Sequence, residues 1–138
     1  MMKFIRIYLL LIAVSVANAA LAETPQQILQ VQATQASKQS PDFVPSAQRG
    51  NTFFANKFSI SAKMPSCATC HTDNPAQAGR HAITNKTIKP LAPGANSERF
   101  TDITKVEKWF RRNCTEVVGR ECNAAEKADF IQFLIEVR

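Results

Sequence analysis

Cys67-Ala68-Thr69-Cys70-His71 is the stretch that decides how this chain folds. Two thiols spaced Cys-x-x-Cys on one turn can reach the two vinyl groups of a single haem, and the adjacent imidazole is carried beneath the iron as its proximal ligand. Two other chemistries use the same spacing. A thioredoxin-type dithiol expects a strand-then-helix context in an α/β pattern, which the flanking sequence lacks. A zinc site would need Cys67 and Cys70 to converge with Cys114 and Cys122. The expected cofactor is one covalently bound haem c, and the chain around it should be organised to wrap that group.

Working outward, the flanks read as helices. On the C-terminal side, Asp102 to Asn113 places Val106, Trp109, Phe110 and Asn113 at i, i+3, i+4 and i+7, with Thr101 or Asp102 as cap. Lys105, Glu107, Lys108, Arg111 and Arg112 fall on the opposite, solvated side. The last helix starts at Asn123 with Glu126 as a capping-box partner and runs to about Val137, with Phe130, Phe133, Leu134 and Val137 as its buried stripe. Between the motif and these helices, Thr72 to Asn96 reads as a long loop broken by Pro75, Pro90, Pro93 and Gly94. A loop this long in a small domain is usually wrapped around something.

On the N-terminal side, Ser46 to Lys57 predicts a helix with Phe53, Phe54 and Phe58 on its apolar side. Gly50, costly in a helix, is explained there as a contact point with another helix. Thr24-Pro25 opens an earlier, Gln-rich helix with few apolar residues, expected to lie loosely on the surface before the break at Lys38 to Pro45. No strand alternation and no internal repeat is evident, so the fold class is all-α.

Residues 1–22 carry the charged, apolar and small-residue parts of a secretory signal, with cleavage after Ala19 or Ala22. The expected organisation is a signal peptide over 1–22, an N-terminal helix and linker over 23–45, and a monohaem domain over 46–138, giving a periplasmic protein without a membrane span. The whole chain has 138 residues and a formal charge of +6. Losing Lys3 and Arg6 with the leader leaves it mildly basic, with no concentrated run or motif that would suggest nucleic acid binding. The α-helical cations Lys105, Lys108, Arg111 and Arg112 could steer an acidic cytochrome onto that face, although such residues are more often plain solvation.

Cys114 and Cys122, at the junction of the last two helices, have a spacing that favours a disulfide in an oxidising compartment, worth roughly 2–3 kcal/mol. A redox-active pair is the alternative. The sixth iron ligand is the open question. Met1 and Met2 leave with the signal, and Met64 sits too close to the attachment turn to reach the far haem face. His81, ten residues after His71, offers a nitrogen that could be a distal ligand or an exposed loop side chain. Asn113 is out of place on an apolar face: it reads as a helix C-terminal cap, unless a buried iron lies there.

The runs Lys86-Thr87-Ile88-Lys89-Pro90-Leu91-Ala92-Pro93, Arg99-Phe100-Thr101-Asp102, Lys105-Val106-Glu107-Lys108-Trp109, Arg112-Asn113-Cys114 and Gly119-Arg120-Glu121-Cys122 closely resemble the sphaeroides haem protein (SHP) family of monohaem cytochromes c. The similarity covers about residues 46–138. It implies an all-α, small class I-like cytochrome c domain wrapped around one haem, with His71 and Asn113 as axial ligands of ferric iron, Cys67 and Cys70 holding the haem, and a Cys114–Cys122 disulfide beside the Asn ligand. Trp109 and Phe110 would line the distal wall. It further implies that Asn leaves the iron on reduction, that oxygen, nitric oxide or carbon monoxide then binds, and that electrons come from a dihaem cytochrome c associated with a membrane cytochrome b. The protein itself is expected as a monomer or weak dimer. Whether it turns over a substrate is open: it is an oxygen- or nitric oxide-reactive haem protein or an electron carrier. Asn85 stands where the family pattern has Gly, and Asn tolerates a left-handed backbone better than most residues. His81 lies outside the pattern, which keeps a His/His electron shuttle as the second reading.

Overall fold

The computed structural model describes residues 22–137; the signal sequence therefore lies outside the described residues but for Ala22. In chain order the elements are α1 (Pro25–Ser37), α2 (Ala47–Ala55), α3 (Ala68–His71), β1 (Gly79–Arg80), β2 (Thr87–Ile88), α4 (Ile103–Val117) and α5 (Ala124–Glu136). The architecture is all-α, with one two-residue hairpin in which Gly79 pairs with Ile88 and Arg80 with Thr87. Among the described residues no helix is long and apolar enough to cross a membrane.

The helix starts follow from their capping side chains. Thr24 and Gln27 form a reciprocal capping box at α1, and Asn123 and Glu126 form another at α5. Ser46 and Asp102 each accept a backbone N–H from the first turn of α2 and α4. These bonds satisfy donors that a helix start otherwise leaves unpaired. α4 runs past Asn113 to Val117 and stops where Gly119, at φ +81°, turns its N–H back onto the Cys114 carbonyl. Asn113 is therefore an interior position of the helix and does not cap it.

α5 is the spine on which α1 and α2 pack. Ile28, Phe54, Phe100, Val106, Phe130, Ile131 and Leu134 form the core, with Cys67, Ala68, Leu91 and Phe110 packed against it. Each large apolar side chain buried there contributes about 1.5–3 kcal/mol. The expected α5 stripe holds for Phe130 and Leu134, while Ile131, which that pattern omitted, is completely buried and Phe133 only half-buried. Gly50 meets its expected purpose: a Cβ there would collide with the Asp129 carbonyl of α5. Beside it the buried Asp129 carboxylate accepts from the Ser46 N–H at 2.7 Å and from Arg49 Nε and Nη2 at 2.7 and 2.8 Å.

α1 does not lie loosely. It buries Ile28, Gln32, Ala33 and Ala36, and the Gln32 amide donates to Glu107 of α4 at 2.6 Å. The other oxygen of Glu107 accepts from Lys127 of α5 at 2.6 Å, so one carboxylate ties three helices together. Glu107 is thus half-buried in a network, contrary to its expected place on a solvated face.

Candidate cofactor site

The attachment turn is built by its own side chains. Ser66, which is buried, and Thr69 form a reciprocal pair: the hydroxyls lie 2.9 Å apart, and each accepts the other residue's backbone N–H. This box shapes the single turn of α3 and brings the His71 N–H within 3.1 Å of the Cys67 carbonyl. Immediately after His71 the chain reverses. Thr72 adopts φ +62° and ψ 169°, a region that favours glycine, and its hydroxyl is held by the backbone of Asn74. A β-branched residue there costs of order 1–3 kcal/mol, so the surroundings of His71 over-determine where the turn ends.

The two cysteine pairs differ in redox form. Cys114 and Cys122 are joined in a disulfide with a Cα–Cα distance of 5.7 Å, whereas Cys67 and Cys70 are free and half-buried. Bonded to each other, Cys114 and Cys122 cannot serve as thiolate ligands, which removes the four-cysteine zinc arrangement. No group of three or more His, Cys, Asp or Glu able to hold a metal ion gathers among the described residues. Burial pushes the Cys67 thiol up to about 11. It is protonated at neutral pH and lacks the thiolate character of a dithiol oxidoreductase.

His71 is equally informative. Burial, with the nearby Arg99 charge adding to it, holds the imidazole down to about 4. It is therefore neutral at physiological pH, the form in which histidine ligates a metal. Two free thiols on one turn with a neutral imidazole beside them are the donor set that a c-type haem requires, so the residues present fit that group. Arg99 itself is half-buried and held in place, with Nε donating to the Pro90 carbonyl at 2.9 Å and Nη2 to the Lys89 carbonyl at 2.8 Å. Its place beside His71 was not legible from residue spacing.

On α4 the expected face divides in two. Val106, Phe110 and Cys114 turn toward the core, where the Phe110 ring stands edge-on to Phe130 with centroids 5.5 Å apart. Trp109 is half exposed and Asn113 exposed, four residues apart on one face. The Arg112 guanidinium lies over the Trp109 ring at 5.7 Å.

His81 sits in the hairpin turn, where its Nδ1 accepts from the N–H groups of Ile83 and Thr84 at 3.2 and 3.3 Å. These two contacts tie the ring to its own turn. The hairpin also grips the attachment turn. The Ala82 N–H donates to Cys70 Sγ at 3.4 Å, and a Cβ at Gly79 would collide with the Cys70 carbonyl. Asn85 closes the turn at φ +57°, the left-handed conformation expected of it.

A family described as a domain of unknown function, DUF1924, matches residues 41–134. Cytochrome c'' of Methylophilus methylotrophus is 48% identical over 92 residues, covering 66% of this chain and 64% of that protein. The match thus spans slightly less than two thirds of that relative's length. The cytochrome c-type protein SHP of Cereibacter sphaeroides is 45% identical over 89 residues, 64% of this chain and 68% of that one. The structure of oxidised SHP, described as an oxygen-binding cytochrome c, superposes with a TM-score of 0.75 at 38% identity over 82% of this chain and 96% of its own. A solution structure of cytochrome c'', described as giving insight into haem-ligand detachment, does so with a TM-score of 0.73 at 39% identity over 81% and 92%.

Proposed function

This chain belongs to the DUF1924 family and is, with SHP and cytochrome c'', a c-type cytochrome; on that premise we propose that it is a periplasmic monohaem protein that accepts an electron and then binds a small diatomic. The carrying observation is that two free, half-buried thiols, Cys67 and Cys70, and the His71 imidazole are carried by the single turn of α3. When bound, the haem supplies one-electron chemistry and a coordination position for a diatomic such as oxygen, nitric oxide or carbon monoxide.

The chain's own residues then divide the work. Cys67 and Cys70 would hold the group covalently, and His71 would ligate its iron. Asn113 would be the second protein ligand: its neutral amide oxygen is a hard, weak donor suited to ferric iron more than ferrous, so its hold would weaken on reduction. Free of the iron, the Asn113 amide N–H would be available to donate to a diatomic guest. Trp109, backed by Arg112, would supply the apolar wall beside it, with Phe110 behind it in the core. This reading agrees with relatives whose descriptions speak of oxygen binding and of ligand detachment. The donor it implies is a dihaem cytochrome c working with a membrane cytochrome b, and export depends on the leader over residues 1–22. The engagement of His81 Nδ1 with the backbone of its own turn counts against the His/His shuttle.

The test is the absorption spectrum of the mature protein, ferric and then dithionite-reduced without oxygen, with and without carbon monoxide. A five-coordinate ferrous spectrum that shifts with carbon monoxide is expected, and Asn113→Ala should change the ferric spectrum while His81→Ala should not. A low-spin ferrous spectrum indifferent to carbon monoxide would sink the proposal.

A further inference from the structure

The β1–β2 hairpin lies directly against Cys70, with the Ala82 N–H on Sγ and Gly79 against the Cys70 carbonyl. The charge on that element is one-sided. From Asn74 to Ser97 the chain carries Arg80, Lys86 and Lys89 and no Asp or Glu. Lys89 pairs with Glu98 at 3.0 Å. Arg80 instead donates to the Asn85 carbonyl within the hairpin at 2.9 Å, and neither Arg80 nor Lys86 takes part in a salt bridge among the described residues. Between these two cations the turn presents Ile83, 54% exposed.

The cations of α4 are differently placed. Lys105, Arg111 and Arg112 each pair with a carboxylate, Asp102, Glu121 and Glu116, at 3.8, 3.5 and 3.2 Å, which offsets part of their charge and leaves Lys108 as the one cation of α4 outside a salt bridge among the described residues. An exposed apolar residue flanked along the turn by two cations outside any salt bridge has the composition of a steered, short-lived contact: the charges raise the encounter rate and the apolar centre gives dry contact. We infer that the Gly79–Ile88 hairpin, and not the basic face of α4, is the docking surface for an acidic redox protein that delivers the electron. The inference rests on the c-type cytochrome reading above. The hairpin joins an acidic partner's surface to the sulfur that would carry the haem through one N–H···S contact.

Stopped-flow reduction of the haem-loaded protein by reduced plant-type ferredoxin, an acidic one-electron donor, tests this. The second-order rate should fall steeply as salt is raised. At low salt Lys86→Glu should slow it roughly tenfold or more, and Arg80→Gln should slow it in the same direction. Lys108→Glu on α4 should leave it within about twofold, as expected for a charge outside the contact. A rate unmoved by the hairpin variants, or moved equally by Lys108→Glu, would overturn the assignment. Dithionite separates the two readings: every variant should still be fully reduced by it, and a protein that dithionite cannot reduce would remove the cytochrome reading together with this surface.

Discussion

Asn113 and Cys114 are consecutive residues near the end of α4, yet Cys114 is buried and bonded to Cys122 while Asn113 stands exposed on the face it shares with Trp109. The disulfide therefore anchors the helical turn that presents the amide. Replacing both cysteines by serine should cost roughly 2–3 kcal/mol of stability, seen as a lower midpoint in urea unfolding. It should also loosen the amide's hold on ferric iron, so that added imidazole binds the ferric double variant more tightly than the parent. Equal imidazole affinities would mean that α4 holds Asn113 unaided.

At Gly50 two effects oppose each other. Alanine would gain about 1 kcal/mol of helix propensity, but its Cβ would collide with the Asp129 carbonyl and lie 2.8 Å from Phe133 Cβ. Forcing backbones apart in a packed interface costs about 1–3 kcal/mol or more, so packing wins. Gly50→Ala should lower the unfolding free energy, and a neutral or stabilising result in denaturant titration would refute the close crossing.

Local chemistry made much of this structure legible in the sequence. Thr24, Ser46, Asp102 and Asn123 cap helices because each side chain bonds backbone within three residues, and the thiols and imidazole of the attachment turn share one short motif. What depended on distant partners was not legible. Gln32 reads as a surface residue until it meets Glu107, 75 positions away. Two-residue strands are too short to alternate, so the hairpin dissolved into an expected loop. Asn113 suggested a cap because the helix-ending signal, Gly119 at positive φ, stands six residues farther on.

The buried imidazole makes acid stability specific. Without haem, burial holds His71 in the folded chain down to about 4, against about 6.5 when unfolded. As pH falls through this window the unfolded chain takes up a proton that the folded chain refuses, so stability is fully present above about 6.5. It declines by on the order of 1.4 kcal/mol per pH unit toward pH 4. Urea unfolding of the chain produced without haem should follow this slope, and His71→Ala should flatten it. An unchanged slope in the variant would place the acid lability elsewhere.

Arg99 should contribute to that behaviour in two separable ways. Its charge disfavours a second positive charge on His71, and its guanidinium fork bridges the carbonyls of Lys89 and Pro90. Arg99→Gln removes both, so the His71 ring, followed by NMR in the haem-free chain, should titrate at a higher pH than in the parent. It should remain below its ordinary value, because burial is the larger cause. The same variant should lose about 1.5–3 kcal/mol through the charge-assisted hydrogen bonds to the two carbonyls. Arg99→Lys keeps the charge but cannot span both carbonyls with a planar fork. It should therefore hold the His71 titration near the parent's while still losing stability. Should both variants shift His71 equally, the fork and the loop it braces, and not the charge, would govern the proximal ligand.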